Sequence, residues 1–264
     1  LRVNRTRNLV AVLAIALTAM LFTSLFTIAF SINDGIQQSG FRQAGGWAHG
    51  SFKYLTEAQF DELSRDARIS QYGLRRYLGM PVDAPFNKRH VEVSYADANQ
   101  AHWMFCDPVE GRLPEAGTNE AATDTRVLEL LGIEPRIGAE FSLSFQVDGH
   151  ATTQRFTLCG WWYGDEASGA SHILVPESRV DAVLRETGVT PPGDDGITGT
   201  WSMDVMFGSG ARHIQAELDA ILRDHGYQSD SRTQDGFVAA GVNWAYTGAQ
   251  FSEKLDGRTV ILLL

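Results

Sequence analysis

The chain has 264 residues, 44% hydrophobic, 20% charged and 10% aromatic, with a net charge of −10. This is globular composition, long enough for one large or two modest domains. The negative charge excludes a nucleic-acid partner, because a phosphate backbone would be repelled rather than neutralised.

The front end, LRVNRTRNLVAVLAIALTAMLFTSLFTIAFSIND, carries Arg2, Arg5 and Arg7 and then no charge until Asp34. As a helix, the 25 uncharged residues from Asn8 to Ile32 span roughly 37 Å at 1.5 Å per residue, enough to cross a bilayer core of about 30 Å. Thr18, Thr23, Ser24, Thr27 and Ser31 interrupt the run, but hydroxyls bond back to their own helix carbonyls and cost little in lipid. A buried core helix is rarely this long without a charge. A signal peptide has an apolar region of about 7–15 residues and a small-x-small cleavage site, and TSLFTIAFSIND offers no clean one. The pattern predicts a retained transmembrane helix, with the arginines cytoplasmic and everything after Asn33 outside. The arginines supply +3, so residues 8–264 carry −13. That reads as a solvated acidic exterior, which permits a cationic ligand without indicating one.

SINDGIQQSGFRQAGG keeps helical spacing and is read as the membrane helix continuing outward as a stalk, ended by Gly45 and Gly46. A strand follows over Ser51 to Leu55. Thr56 and Gln59 then form a capping box ahead of Phe60, Leu63 and Ala67, and a second strand runs from Ile69 to Leu78. A comparable unit recurs downstream: a strand over Trp201 to Phe207, a helix bearing Ile214, Leu218, Ile221 and Leu222, Gly226 beyond it, and a short strand near Tyr227. Two β-α-β units separated by an insertion predict a split, ferredoxin-like α+β sandwich.

Between them, RHVEVSYA, EFSLSFQVDG, TTQRFTLCGWWYGD and SHILVP alternate as strands, with a hairpin turning at Asp148-Gly149. Two helices are embedded, Asp124 to Leu131 closed by Gly132 and Glu177 to Thr187 closed by Gly188, and GVTPPGDDGITG reads as a linker. Phe237, Val238, Val242, Tyr246, Phe251 and Leu255 fall at loosely helical spacings and lead to the apolar end VILLL. The expected division is 1–32 for the cytoplasmic start and membrane helix and 33–45 for the stalk. Residues 46–80 and 199–235 form the split βαβ subdomain, and 81–198 the mostly-β insertion. A second stalk takes 236–258, and 259–264 open a second membrane helix. The start at Leu1 and the apolar end suit part of a longer membrane protein.

No H-E-x-x-H, zinc-ribbon pattern, nucleophile elbow, Walker A loop or G-x-G-x-x-G occurs, and no catalytic constellation or cofactor site is expected. His102 and Cys106 are four apart, but two ligands make no metal site. Cys106 and Cys159 lie on the exterior side, where a disulfide survives and would restrict the unfolded chain by roughly 4 kcal/mol. Two buried free thiols are the equal alternative.

NRTRNLVAVLAIALTAMLFTSLFTIAFSI resembles the first membrane helix of FtsX-like ABC transporter permeases of the MacB type. DPVEGRLPEAGTNEAATDTRVLELLGIEPRIGAEFSLSF is similar to that family's exterior motif. Its turn and cap residues would be Gly111, Arg112, Pro114, Glu120, Gly132 and Gly138. The resemblance implies a porter-like subdomain beside the membrane with a mostly-β subdomain farther out, in a non-catalytic permease subunit of the cell membrane. It implies a cytoplasmic ABC ATPase partner that carries the ATP and Mg, a second permease copy or homologue, and cargo of peptide, lipid or lipoprotein. It also implies that the stalks relay ATP-driven motion outward. A single-pass surface binding or sensing module is the alternative reading. A secreted hydrolase behind an uncleaved signal has no residues to support it.

Overall fold

The computed structural model describes residues 5–208, 211, 213–229 and 237–248. Helix α1, Arg5–Gln43, is unbroken over 39 residues. It is long and apolar enough to cross a membrane, and its large side chains from Leu9 to Ile36 stand exposed instead of packing on the domain. Thr18, Thr23 and Thr27 donate their hydroxyls to carbonyls four residues back, so these three threonines cost the helix no unsatisfied hydroxyl.

Beyond α1 come β1 (Gly50–Leu55), α2 (Glu57–Leu63) and β2 (Ile69–Gly79). The Thr56–Gln59 capping box closes both ways, side chain to backbone and backbone to side chain. The downstream unit is β9 (Trp201–Phe207), α6 (Ile214–Asp224), β10 (Gln228–Ser229) and β11 (Phe237–Val242). The two units interleave in the order β11-β1-β9-β2, with every neighbouring pair antiparallel. That is the split βαβ arrangement. Phe52, Leu55, Met203, Val205 and Phe207 on the strands pack with Leu63 of α2 and Leu218, Ile221 and Leu222 of α6.

One sequence expectation is corrected here. The second stalk was placed at 236–258 on helical spacing, yet Phe237–Val242 is a strand pairing antiparallel with β1. Its Val238, Ala240 and Val242 reach the same core at a period of two, the repeat of a strand and not of a helix. This strand, not the edge piece at Gln228–Ser229, completes the second unit. A helical turn follows at 244–248. The rest of the stalk, the start of the second membrane helix and the first residues of the cytoplasmic segment lie outside the described residues.

The insertion contributes β3 (Val91–Ala96), α3 (Ala98–Trp103), β4 (Glu110–Gly111), β5 (Glu120–Asp124), α4 (Thr125–Leu131), β6 (Glu140–Val147), β7 (His150–Trp162), β8 (Ser171–Leu174) and α5 (Glu177–Thr187). Asp97 and Asp124 cap α3 and α4 through their carboxylates, and Gly132 and Gly188 end α4 and α5 in left-handed conformation. The β6–β7 hairpin turns on Asp148 and Gly149, both at positive φ.

The insertion is not a separate sheet. Strand β2 pairs with β9 along its first part and with β3 along its last, so one eleven-stranded sheet runs through both halves. The backbone of Met80, just past β2, exchanges hydrogen bonds with Gln146 of β6 at 3.1 and 2.9 Å. Strands β2, β3, β8, β5, β7 and β6 thereby form a closed ring. A Cβ on Gly79 would stand 2.0 Å from the Gln146 carbonyl, so closure requires glycine there.

Candidate functional site

No catalytic constellation forms among the described residues, and no group of three or more potential metal ligands gathers there. The features that draw distant parts of the chain together lie where α1 meets the domain.

The last turn of α1 ends in a Schellman cap: Gly46 N–H donates to the Phe41 carbonyl (2.9 Å) and Gly45 N–H to that of Arg42 (3.3 Å). Gly45 has φ +90, and a Cβ on Gly46 would lie 2.7 Å from the Trp103 carbonyl oxygen. The glycine pair at 45 and 46 is therefore both the stop signal and the close-approach point.

From this cap the chain is held on two sides. On the βαβ side, buried Phe41 meets the edge of Tyr246 with ring centroids 5.5 Å apart. The Asn243 side-chain amide donates to the Gly46 carbonyl at 2.8 Å. On the insertion side, Arg42 lies 4.3 Å above the centroid of Phe105 and forms an ion pair with Asp165. Trp47 packs against His102 and Phe105, 5.3 and 5.5 Å between centroids. Phe105 has φ 60, a left-handed conformation that a bulky side chain avoids unless its surroundings impose it.

Asp165 carries the contact further. Its carboxylate meets Arg42 while its carbonyl accepts from Arg126 of α4 at 2.9 Å. Arg126 also pairs with Glu166 at 2.9 Å, and Gly164 N–H donates to Thr125 Oγ1 at 3.0 Å. The 164–166 loop is thus clamped between α1 and the first turn of α4. EASGASH reads in sequence as a flexible loop before a strand, and its first residue, Glu166, is the one that pairs with Arg126.

The two halves are bolted together separately by Arg76 of β2, only 2% exposed. Its guanidinium bonds Asp181 (2.9 Å) and Glu177 (3.1 Å) of α5 and stacks 3.7 Å over the Trp201 ring of β9. A planar guanidinium can serve both partners at once where an ammonium cannot.

The motif residues singled out in sequence have architectural positions. Arg112 holds Glu120 by two hydrogen bonds, 2.8 and 2.7 Å, and Glu120 Oε2 also accepts the Glu115 amide at 3.1 Å. The Arg112 guanidinium holds the Glu120 carboxyl below its ordinary pKa. Gly111 at φ +82 passes so close to β7 that a Cβ would meet the Cys159 carbonyl oxygen at 2.1 Å. Gly138 donates to Leu158 of β7 at 2.8 Å. Gly111, Arg112, Glu120 and Gly138 therefore gather around the middle of β7, with Pro114 in the intervening turn and Gly132 apart at the end of α4.

Of the two cysteine arrangements left open, the structure holds free thiols: Cys106 and Cys159 are both buried, in one cluster with Met104, Trp162 and Leu174. Burial raises both thiols, Cys159 to about 12, which leaves them protonated and unreactive. His102 and Cys106 do not share a helix face, because α3 ends at Trp103. His102 instead meets Asp107 at 2.8 Å.

No family model matches the chain, and no curated protein matches it in sequence. Among solved structures it is similar to the periplasmic region of MacB from Actinobacillus actinomycetemcomitans, with 13% identity and a TM-score of 0.47 over 79% of this chain and 94% of that one. It is also similar to the extracellular domain of YknZ, a noncanonic ABC-type transporter from Gram-positive bacteria, with 14% identity and a TM-score of 0.43 over 73% of this chain and 97% of that one.

Proposed function

We propose that the chain is the first membrane helix and the extracytoplasmic domain of an ABC-type permease subunit, and that α1 works as a lever between membrane and domain. The observation that carries the reading is the continuity of α1: one helix runs from the membrane span into a cap fixed to both halves of the domain. A helix transmits displacement along its axis because each turn is hydrogen-bonded to the next, whereas a flexible linker dissipates it. The MacB-type resemblance supplies the rest. An ATPase partner binds ATP and Mg, a second permease copy completes the complex, and the cargo is a peptide, lipid or lipoprotein. The N-terminus is cytoplasmic, and the subunit itself does no chemistry.

The test uses the full permease with its ATPase in proteoliposomes. Three glycines inserted between Ile36 and Gln37 break the lever and leave both of its ends intact. ATP hydrolysis is expected to persist while transport falls at least tenfold. Transport at the parental rate would overturn the lever.

A further inference from the structure

The β11-β1-β9-β2 sheet has one face under α2 and α6. Its opposite face floors an open groove of about 1050 Å³, walled by the Ala44–Gly46 segment just past α1, by Gln100 of α3 and by Asn243, Trp244 and Ala245. That volume is at the upper end of ligand-sized clefts.

Asp204 of β9 occupies the groove floor. One of its oxygens accepts from the Gln100 amide at 2.8 Å, and among the described residues no basic side chain comes within ion-pair distance of it. Gln100 is 3% exposed and lines the groove, and its Oε1 has no hydrogen-bond partner. The neighbouring Arg75 is spent on Glu92, which His90 and His172 also face. Lys53, on β1 in the same groove, has no acidic partner among the described residues; burial pushes the Asp204 carboxyl up, against the Gln100 hydrogen bond and the charges of Lys53 and Arg75, which pull it down.

The groove therefore carries a surplus of negative charge, Glu92, Asp195 and Asp204 against Lys53 and Arg75. Aromatic rings complete the wall: Trp244 at 75% exposure, Tyr77, and Tyr54. Tyr54 is held at φ 64 where β1 shifts register against β9. A carboxylate with no ion-pair partner beside an exposed indole face and two half-buried tyrosines is the chemistry that holds an organic cation. The acidic exterior, −13 over residues 8–264, adds long-range attraction of the same sign.

We propose that this groove binds a peptide through a lysine or arginine side chain, its cation over Asp204 and its stem against Trp244. Lys53 opposes the ligand and sets its affinity.

Binding is measured on the chain in uncharged detergent without the ATPase, so a failed lever leaves the result untouched. The probe is fluorescein-labelled pentalysine, read by fluorescence anisotropy, with pentaglutamate alongside. Asp204→Asn, which keeps the Gln100 hydrogen bond, is expected to weaken pentalysine at least tenfold, and Trp244→Ala three- to tenfold. Lys53→Gln should tighten it two- to fivefold. Glu129→Gln removes one exposed carboxylate from α4, away from the groove, and should leave affinity within twofold. The site is overturned if Glu129→Gln costs as much as Asp204→Asn, if pentaglutamate binds equally well, or if Lys53→Gln and Trp244→Ala both leave pentalysine unchanged. Lys53 and Trp244 are exposed, so these last two variants report even if Asp204→Asn disturbs the sheet.

Discussion

The two ends of α1 are built on opposite principles. From Leu9 to Ile36 its large apolar side chains touch nothing in the domain, and Phe22, Phe26 and Phe30 stack only on one another. Within two turns, Phe41 is 7% exposed, Arg42 is paired across 123 residues of sequence, and the cap glycines touch α3. A helix that is apolar all round is made for lipid, and a helix that narrows to one buried ring and one ion pair is made to be gripped. On the lever proposed above, force entering along α1 would meet the domain only beyond Ile36, where both halves hold the helix end.

That conclusion requires the halves to behave as one body, so the largest effect is expected at the seam. Arg76→Ala removes a guanidinium that joins α5 to β9, and should destabilise the domain by about 3 kcal/mol, mostly from the cavity left beside Trp201 by a 2%-exposed side chain, since the two carboxylates it leaves are themselves partly exposed. Chemical denaturation of the chain checks it. Arg76→Lys should recover only part of the loss, since an ammonium cannot stack on Trp201 and hold two carboxylates at once. Full recovery by lysine would reduce the seam to simple charge. The grip itself is weaker and local. Phe41→Ala deletes a buried ring at the rim of the domain, and a cost of about 2 kcal/mol is expected, below the full core value because α1 can detach without global unfolding. Hydrogen exchange of the amides at 41–47 should speed accordingly. Phe26→Ala, in the free stretch, should leave those same amides unchanged; a change there would erase the difference between the two ends.

The parts legible in the sequence are those written locally. The Thr56–Gln59 box, the Asp124 cap, the Asp148-Gly149 turn and the alternation of Phe141, Leu143, Phe145 and Val147 are all signals within a few residues. The split βαβ order followed because strand, helix and strand recur in the right succession. Strand β11 was misread because FVAAGV satisfies two periods, and only its pairing with β1 selects between them. The junction and the seam were invisible for a different reason. Arg42 and Asp165, or Arg76 and Asp181, are more than a hundred residues apart, and neither partner carries a local sign that it is taken. The motif around Gly111, Arg112 and Glu120 was legible as a turn, but its fit against β7 needed the fold.

The smallest effect is expected at a latch that touches neither the grip nor the seam. His225, just after α6, meets Glu62 at 2.9 Å and Asp66 at 3.1 Å, tying α6 to α2 on the helix-covered face. The hydrogen bond to Glu62 raises the His225 pKa above its ordinary value. Asp66, held chiefly by Arg68, lies well below the carboxylate range, and Glu62, bonded by Tyr227 and His225, is also lowered. A raised histidine favours the folded state fully below its unfolded pKa of about 6.5, and that contribution is lost as pH rises through the folded value. Lowered carboxylates act in the opposite sense: their contribution is present above about pH 4 and lost as pH falls. The latch is therefore strongest between these limits. Melting temperature should decline modestly as pH is raised from 6 to 8, and His225→Gln should flatten that decline while leaving the acid limb in place. Because His225 lies on the face away from the groove, the same substitution should leave exchange at 41–47 unchanged. Faster exchange there would mean that the domain transmits disturbance from every surface, and that the grip on α1 is nothing special.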